Sequence, residues 1–177
     1  MRILVVGCAV VLASALALPG RSMAQQQATE PDLKAAILVN MLLFVDWPRG
    51  DVQPNAALSV CYFSNSAVAG ALAALDRRVI RGRQLNVVRV DASALQRCQA
   101  AYIAPSDDVL LSALSGGALP GGVLLVGDTP GFLDRGVMVN LALFEGRVTF
   151  DVDLPALRRA GLSLSSKALR LARTVRE

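Results

Sequence analysis

The segment Lys34–Pro48, KAAILVNMLLFVDWP, constrains the fold of this chain more than any other. Its first eleven residues read as a helix that is apolar on nearly every side. One face carries Leu33, Ile37, Met41 and Phe44 at i, i+4, i+8 and i+11, and a second carries Ala35, Leu38, Leu42 and Val45. A surface helix shows one apolar stripe, whereas a helix that is apolar all round must be covered on both sides. Spanning a bilayer takes about 20 residues, so this helix is too short for that. The pattern predicts a helix packed on its own domain and also against a second copy or a partner. Leu38, Leu42, Val45 and Trp47 are the expected contact residues. Asp46-Trp47-Pro48 ends the helix, because Pro48 disfavours helical geometry at Trp47. Trp47 suits either an interface anchor or a core residue closing the helix end.

The first 24 residues have the features of a secretory signal. Arg2 supplies a positive start, Ile3 to Leu18 is an uncharged apolar run, and Pro19-Gly20 breaks it. Ser22-Met23-Ala24 places small residues before a cleavage point after Ala24. A retained anchor is the alternative; Val5-Val6-Gly7-Cys8 sits too early for a lipoprotein box. The expected product is one exported domain over residues 25–177. Without Arg2 and Arg21, the 18 basic residues fall to 16 against 14 acidic ones, a net charge of +2. So balanced a chain makes no electrostatic case for nucleic acid.

The sequence contains no histidine. That removes Ser-His-Asp and Cys-His triads, His-ligated zinc and the usual general base near neutral pH. Nothing pairs a nucleophile with a base, and nothing calls for a cofactor or a metal. Two cysteines remain after processing, Cys61 and Cys98. In an exported protein such a pair reads as a disulfide, with two buried free thiols as the alternative. Closing that loop stabilises by roughly 4 kcal/mol in the chain-entropy picture.

Strand-like and helix-like segments alternate. The helix over 32–45 is followed by apolar or alternating runs at 58–63, 84–90, 100–104 and 123–126, separated by helical stretches. Residues 137–144 and 148–152 flank Glu145-Gly146-Arg147 as a hairpin. Helices are expected over 153–161 and from Ser165 to about Val175. This order predicts an α/β fold: a three-layer sandwich with a mostly parallel sheet and an antiparallel C-terminal hairpin at one edge. A strand order 2-1-3-4 brings Cys61 and Cys98 within disulfide reach, since adjacent strands lie about 4.8 Å apart.

In open parallel sheets ligands bind beyond the carboxyl ends of strands. Ser64, Asn65, Ser106, Gly127, Asp128 and Phe132 are therefore the candidate small-molecule loops. The same residues also fit ordinary turns. Asn40, between Ile37 and Phe44, is expected to be a buried amide tied to a neighbouring loop. Arg77, Arg78, Arg81, Arg83 and Arg89 cluster around the second strand, as a solvated face or toward an acidic surface or anionic lipid. Lys167, Arg170 and Arg173 fall along the final helix. Asp151 and Asp153 share a strand face and fit a solvated edge plus a helix cap better than Ca²⁺ or acid–base chemistry.

Four segments, in this order, resemble the YfiR/HmsC-like family of periplasmic proteins. The first is Lys34-Ala35-Ala36 with Asn40, Phe44, Val45 and Trp47-Pro48. The second is Gly82-Arg83, then Cys98 before Tyr102-Ile103. The third is Val123–Asp128 with Gly131-Phe132 and Gly136–Leu141. The fourth is Val148–Leu154 with Ala160-Gly161-Leu162 and Ser165–Leu169. The resemblance implies a regulator rather than an enzyme, one that binds the periplasmic part of an inner-membrane diguanylate cyclase and holds it inactive. Its release raises cyclic di-GMP and favours biofilm. Such domains also occur fused to membrane kinases. Cys61 and Cys98 fall where such proteins place a disulfide; a second family cysteine pair, after Gly127, has no counterpart here, and Asp153 stands where Asn is usual. A homodimer and a small-molecule ligand are further expectations.

Overall fold

The computed structural model describes residues 27–47, 57–116 and 121–177. The expected signal segment, Pro48 and the loop over 49–56 lie outside the described residues. Thr29 starts the first helix, α1 (Glu30–Met41): its hydroxyl accepts from the Asp32 N–H while the Asp32 carboxylate accepts from the Thr29 N–H. This capping box satisfies donors that a helix start otherwise leaves bare. A tight turn over Leu42–Phe44 leads into the short strand β1 (Val45–Asp46).

The remaining elements follow in chain order. They are β2 (Leu58–Tyr62), α2 (Ala67–Ala73), β3 (Val79–Ile80), β4 (Arg83–Arg89), β5 (Ala100–Ile103) and α3 (Asp108–Ser115). Then come β6 (Leu124–Gly127), β7 (Val139–Phe144), β8 (Arg147–Asp153), α4 (Leu154–Arg159), β9 (Ser163–Leu164), α5 (Ser166–Leu169) and β10 (Thr174–Arg176). Eight strands form one sheet in the order β10-β8-β7-β6-β5-β2-β4-β3, and β1 pairs with β9 in a separate ribbon. The four central strands run parallel in the order β4-β2-β5-β6, the arrangement that brings the two cysteines within reach. Every residue of β5 and β6 is buried, so both faces of the sheet are covered there. Right-handed crossovers leave β2 and β5 in opposite directions and so place α2 and α3 on opposite faces.

Two expectations are corrected. The β7–β8 hairpin does not form the sheet's edge: β10 lies outside it, parallel to β8. The final helix stops at Leu169, and its expected last turn is strand β10 instead. Long-range pairing overrides local helix preference, because the Arg173 N–H donates to Phe150 O and the Arg173 guanidinium grips Asp151.

The contact face expected on α1 is also corrected. Leu38, Leu42 and Val45 are 0%, 1% and 7% exposed, so their side chains belong to the protein's own core. Asn40 is not a buried tie to a loop; it is exposed, and its amide donates to Ala36 O within the helix. Asp153, by contrast, caps α4 by accepting from the Ala156 N–H.

Cys61 in β2 and Cys98 just ahead of β5 are bonded, with their Cα atoms 5.9 Å apart. The bond crosslinks neighbouring central strands. Reduction is expected to lower unfolding free energy by roughly 4 kcal/mol in urea titrations. Leu38→Ala should cost about 2–5 kcal/mol by the same measurement, because it empties a fully buried site. Ile37→Ala, one residue away but half-buried, should cost much less.

Candidate functional site

Seating Leu38 and Leu42 inward turns the other apolar face of α1 outward. Leu33, Ile37 and Phe44 form one wall of a groove of about 410 Å³, with Val148 and Leu171 opposite. Met41, Phe150 and Ala168 are buried and make its floor. Leu33 is 42% exposed and Leu171 71%, so much of this wall meets water. The nearby hairpin tip adds Leu143 and Phe144, both exposed. Arg173 stacks over the Phe144 ring at 5.0 Å and Arg81 over Phe44 at 5.9 Å, so cations border the apolar surface. Isolated exposed apolar residues are ordinary, but a groove lined by them marks a binding surface. Trp47 is half-buried, and its indole N–H has no partner among the described residues.

The N-terminal half of α1 borders a second, polar cleft of about 450 Å³. Lys34 lies one turn before Leu38 and is therefore drawn into the interior, 7% exposed. Its ammonium donates to Asp128 at 3.0 Å and pairs with Glu30 at 2.8 Å. Burial alone would lower its pKa, but these two carboxylates outweigh that and raise it. The Tyr102 hydroxyl donates to the other Asp128 oxygen at 2.9 Å. Burial first, and then the charge of Asp128, push the Tyr102 hydroxyl far above its usual range. Across the cleft Arg173 holds Asp151 through two hydrogen bonds, and Arg176 donates to Asp134 at 2.6 Å. Asn140 is 6% exposed, yet its side-chain oxygen has no hydrogen-bond partner among the described residues. A Cβ on Gly127 would come within 2.9 Å of the Phe132 ring and 3.2 Å of that oxygen, so this position requires glycine.

Of the loop residues singled out from sequence, Gly127, Asp128 and Phe132 come together at the end of β6. Phe132 is buried rather than open to a ligand. Ser64, Asn65 and Ser106 lie outside both clefts. Lys34, Asn140, Arg173 and Arg176 were not expected at a site. Lys34 carried a signal nonetheless, as the lone cation within an apolar helix and four residues after Glu30. Among the described residues no three carboxylate or thiol side chains gather as a metal site. No helix there is long and apolar enough to cross a membrane.

A regulatory binding domain fits this combination of an apolar groove, a satisfied ionic cleft and a crosslinked sheet. A family model described as YfiR/HmsC-like matches residues 31–173, so the chain belongs to that family, whose members are periplasmic regulators linked to diguanylate cyclases. No curated protein matches the chain. Among solved structures it is similar to a conserved domain protein from Vibrio cholerae O1 biovar El Tor, at 12% identity and a TM-score of 0.49. That similarity covers 84% of this chain and 60% of the other.

Raised pKa values in the folded state mean that protons are held more tightly there than in the unfolded chain. The contributions of Lys34 and Tyr102 are therefore complete below about pH 10 and fade as pH rises further. In Tyr62→Phe, which leaves Tyr102 as the one tyrosine, tyrosinate absorbance should stay flat until alkaline unfolding and then rise with it.

Proposed function

We propose that this protein is a periplasmic regulator that docks on the periplasmic part of an inner-membrane diguanylate cyclase and holds it inactive. The observation that carries this reading is the uncovered apolar face of α1, facing Leu171 across the groove. An apolar segment of the partner laid into that groove removes Leu33, Ile37 and Phe44 from water. Regulation works by occupancy: bound protein stabilises the inactive conformation, and release shifts the receptor's population toward activity. Family membership supports the periplasmic setting and the cyclase as the kind of receptor. The absence of histidine in the sequence agrees with action by binding rather than by catalysis. The exported form starts at Gln25, after cleavage behind Ala24, and folds as a single domain; N-terminal sequencing of periplasmic protein tests this.

Deleting the gene should raise cyclic di-GMP. The double variant Leu33→Asp/Leu171→Asp should reproduce that rise and lose co-purification with the cyclase. Both positions are open to water, so the fold should persist. Val109→Asp, at an 82% exposed site on α3, should behave as wild type. Unchanged cyclic di-GMP in the deletion strain, with the protein confirmed in the periplasm, overturns the proposal. A homodimer through the same groove gives a different result: the double variant sediments at half the wild-type mass.

A small-molecule sensory role rests on a separate observation: Asn140 lines the polar cleft, and its buried side-chain oxygen has no hydrogen-bond partner among the described residues. Such a group is expensive to leave unmade, and a ligand N–H or O–H satisfies it. In a thermal-shift screen of polar metabolites, stabilisation of the wild type that disappears in Asn140→Ala is the expected sign. The two roles combine if the ligand tunes partner affinity.

A further inference from the structure

We propose that the β3–β4 edge of the sheet is a membrane-contact surface that lies against anionic phospholipid headgroups. Residues 76–97 carry six arginines and two aspartates. This one segment therefore carries +4, which equals the net charge of the full sequence; without Arg2 and Arg21 the rest of residues 25–177 carries −2. Its outermost part is Arg77-Arg78-Val79-Ile80-Arg81-Gly82. Among the described residues β3 pairs with β4 alone, so its other side faces outward.

Arg77, Arg78 and Arg81 are exposed, and Val79, set among them, is 70% exposed. Neutralisation from within the patch is slight. Asp76 stands 3.7 Å from Arg77, but its carboxylate is already turned into the sheet to accept the Val87 N–H at 2.8 Å. The backbone is fixed in a display conformation. Arg77 and Arg81 have φ of 62° and 48°, a region that long side chains seldom occupy. Arg81-Gly82 forms a hairpin turn whose first position normally favours Asn, Asp or Gly. The Arg77 N–H donates to Leu85 O at 2.9 Å, which locks the start of the edge.

Charges on an edge strand are a common defence against strand pairing. That explains an arginine or two, but not a net charge of +4 in one segment, nor an open valine at its centre. Lipid accounts for both. Arginines lie along a headgroup layer with their stems on apolar surface, while the valine enters the acyl boundary. An acidic protein partner would answer the charge but leave Val79 without a reason. The geometry also suits a protein working at a membrane receptor. Arg81 stacks on Phe44 at the end of the groove, so the basic edge and the apolar groove adjoin. The lipid contact does not depend on the groove reading, because vesicles contain no receptor.

Co-sedimentation of the purified exported protein with vesicles tests the proposal. Binding is expected to phosphatidylcholine vesicles carrying roughly 30% phosphatidylglycerol and not to pure phosphatidylcholine. About 0.5 M NaCl should abolish it. Arg77→Gln/Arg78→Gln/Arg81→Gln should weaken it about a hundredfold, at about fivefold per arginine. Val79→Ser should weaken it a few-fold at an unchanged salt response, and Arg158→Gln/Arg170→Gln should leave it intact. The Val79 and salt results stand even if the triple variant fails to fold. Equal binding to both vesicles, or none, overturns the proposal. Salt-sensitive binding to polyglutamate without vesicle binding overturns it too and assigns the edge to an acidic protein.

Discussion

The rotation of α1 about its own axis decides what the rest of the molecule can do. Two apolar faces compete for the core, and the face carrying Ala35, Leu38 and Leu42 takes it, each nearly inaccessible. At 3.6 residues per turn, that choice leaves the positions of Leu33, Ile37 and Phe44 outside. It also carries Lys34, one turn before Leu38, into the interior, where Asp128 meets it. The apolar groove and the ionic cleft are thus consequences of one packing decision. A modest roll of the helix would bury the groove wall and expose the lysine.

The sheet supplies the complementary surfaces. Its parallel centre is buried on both faces, and the Cys61–Cys98 bond holds β2 to the approach of β5. Around this stiff middle, β8 with Ala168 and Leu171 lines the far side of the groove, and the hairpin with Arg173 and Arg176 lines the polar cleft. The strand β3, flanked by Arg77, Arg78 and Arg81, lies at the opposite edge. The basic edge meets the greasy groove where Arg81 stacks on Phe44, and α1 runs from that groove to the ionic cleft at Lys34. A binding regulator needs no assembled nucleophile or metal, and histidine is absent from the whole sequence.

Much of the fold was legible because its signals are local. Ser66 and Ser165 cap α2 and α5, and the alternation over 84–90 marks β4. The even apolar run at Val123–Val126 belongs to β6, buried on both sides. The central strand order supposed from the sequence is the one observed, and it places Cys61 beside Cys98. The site was less legible. Leu38, Leu42 and Val45 looked like contact residues, because apolar pattern alone does not tell core from surface when a helix has two apolar faces. Asn40 was expected inside and lies outside for the same reason. At the ligand loops, proximity to a strand end brought Asp128 into the cleft but not Ser64, Asn65 or Ser106.

The amino-acid sequence by itself determined α1, the central parallel strands with their helices, the β7–β8 hairpin and the pairing of the two cysteines, since these depend on periodicity, caps and short-range geometry. Only the tertiary structure decided which face of α1 is bare, that Arg173 clasps Asp151, and that the chain's end becomes β10 rather than helix. Those outcomes are set by contacts between residues far apart in the chain. Their energies depend on where the sheet already lies, and no local pattern of residues carries that information.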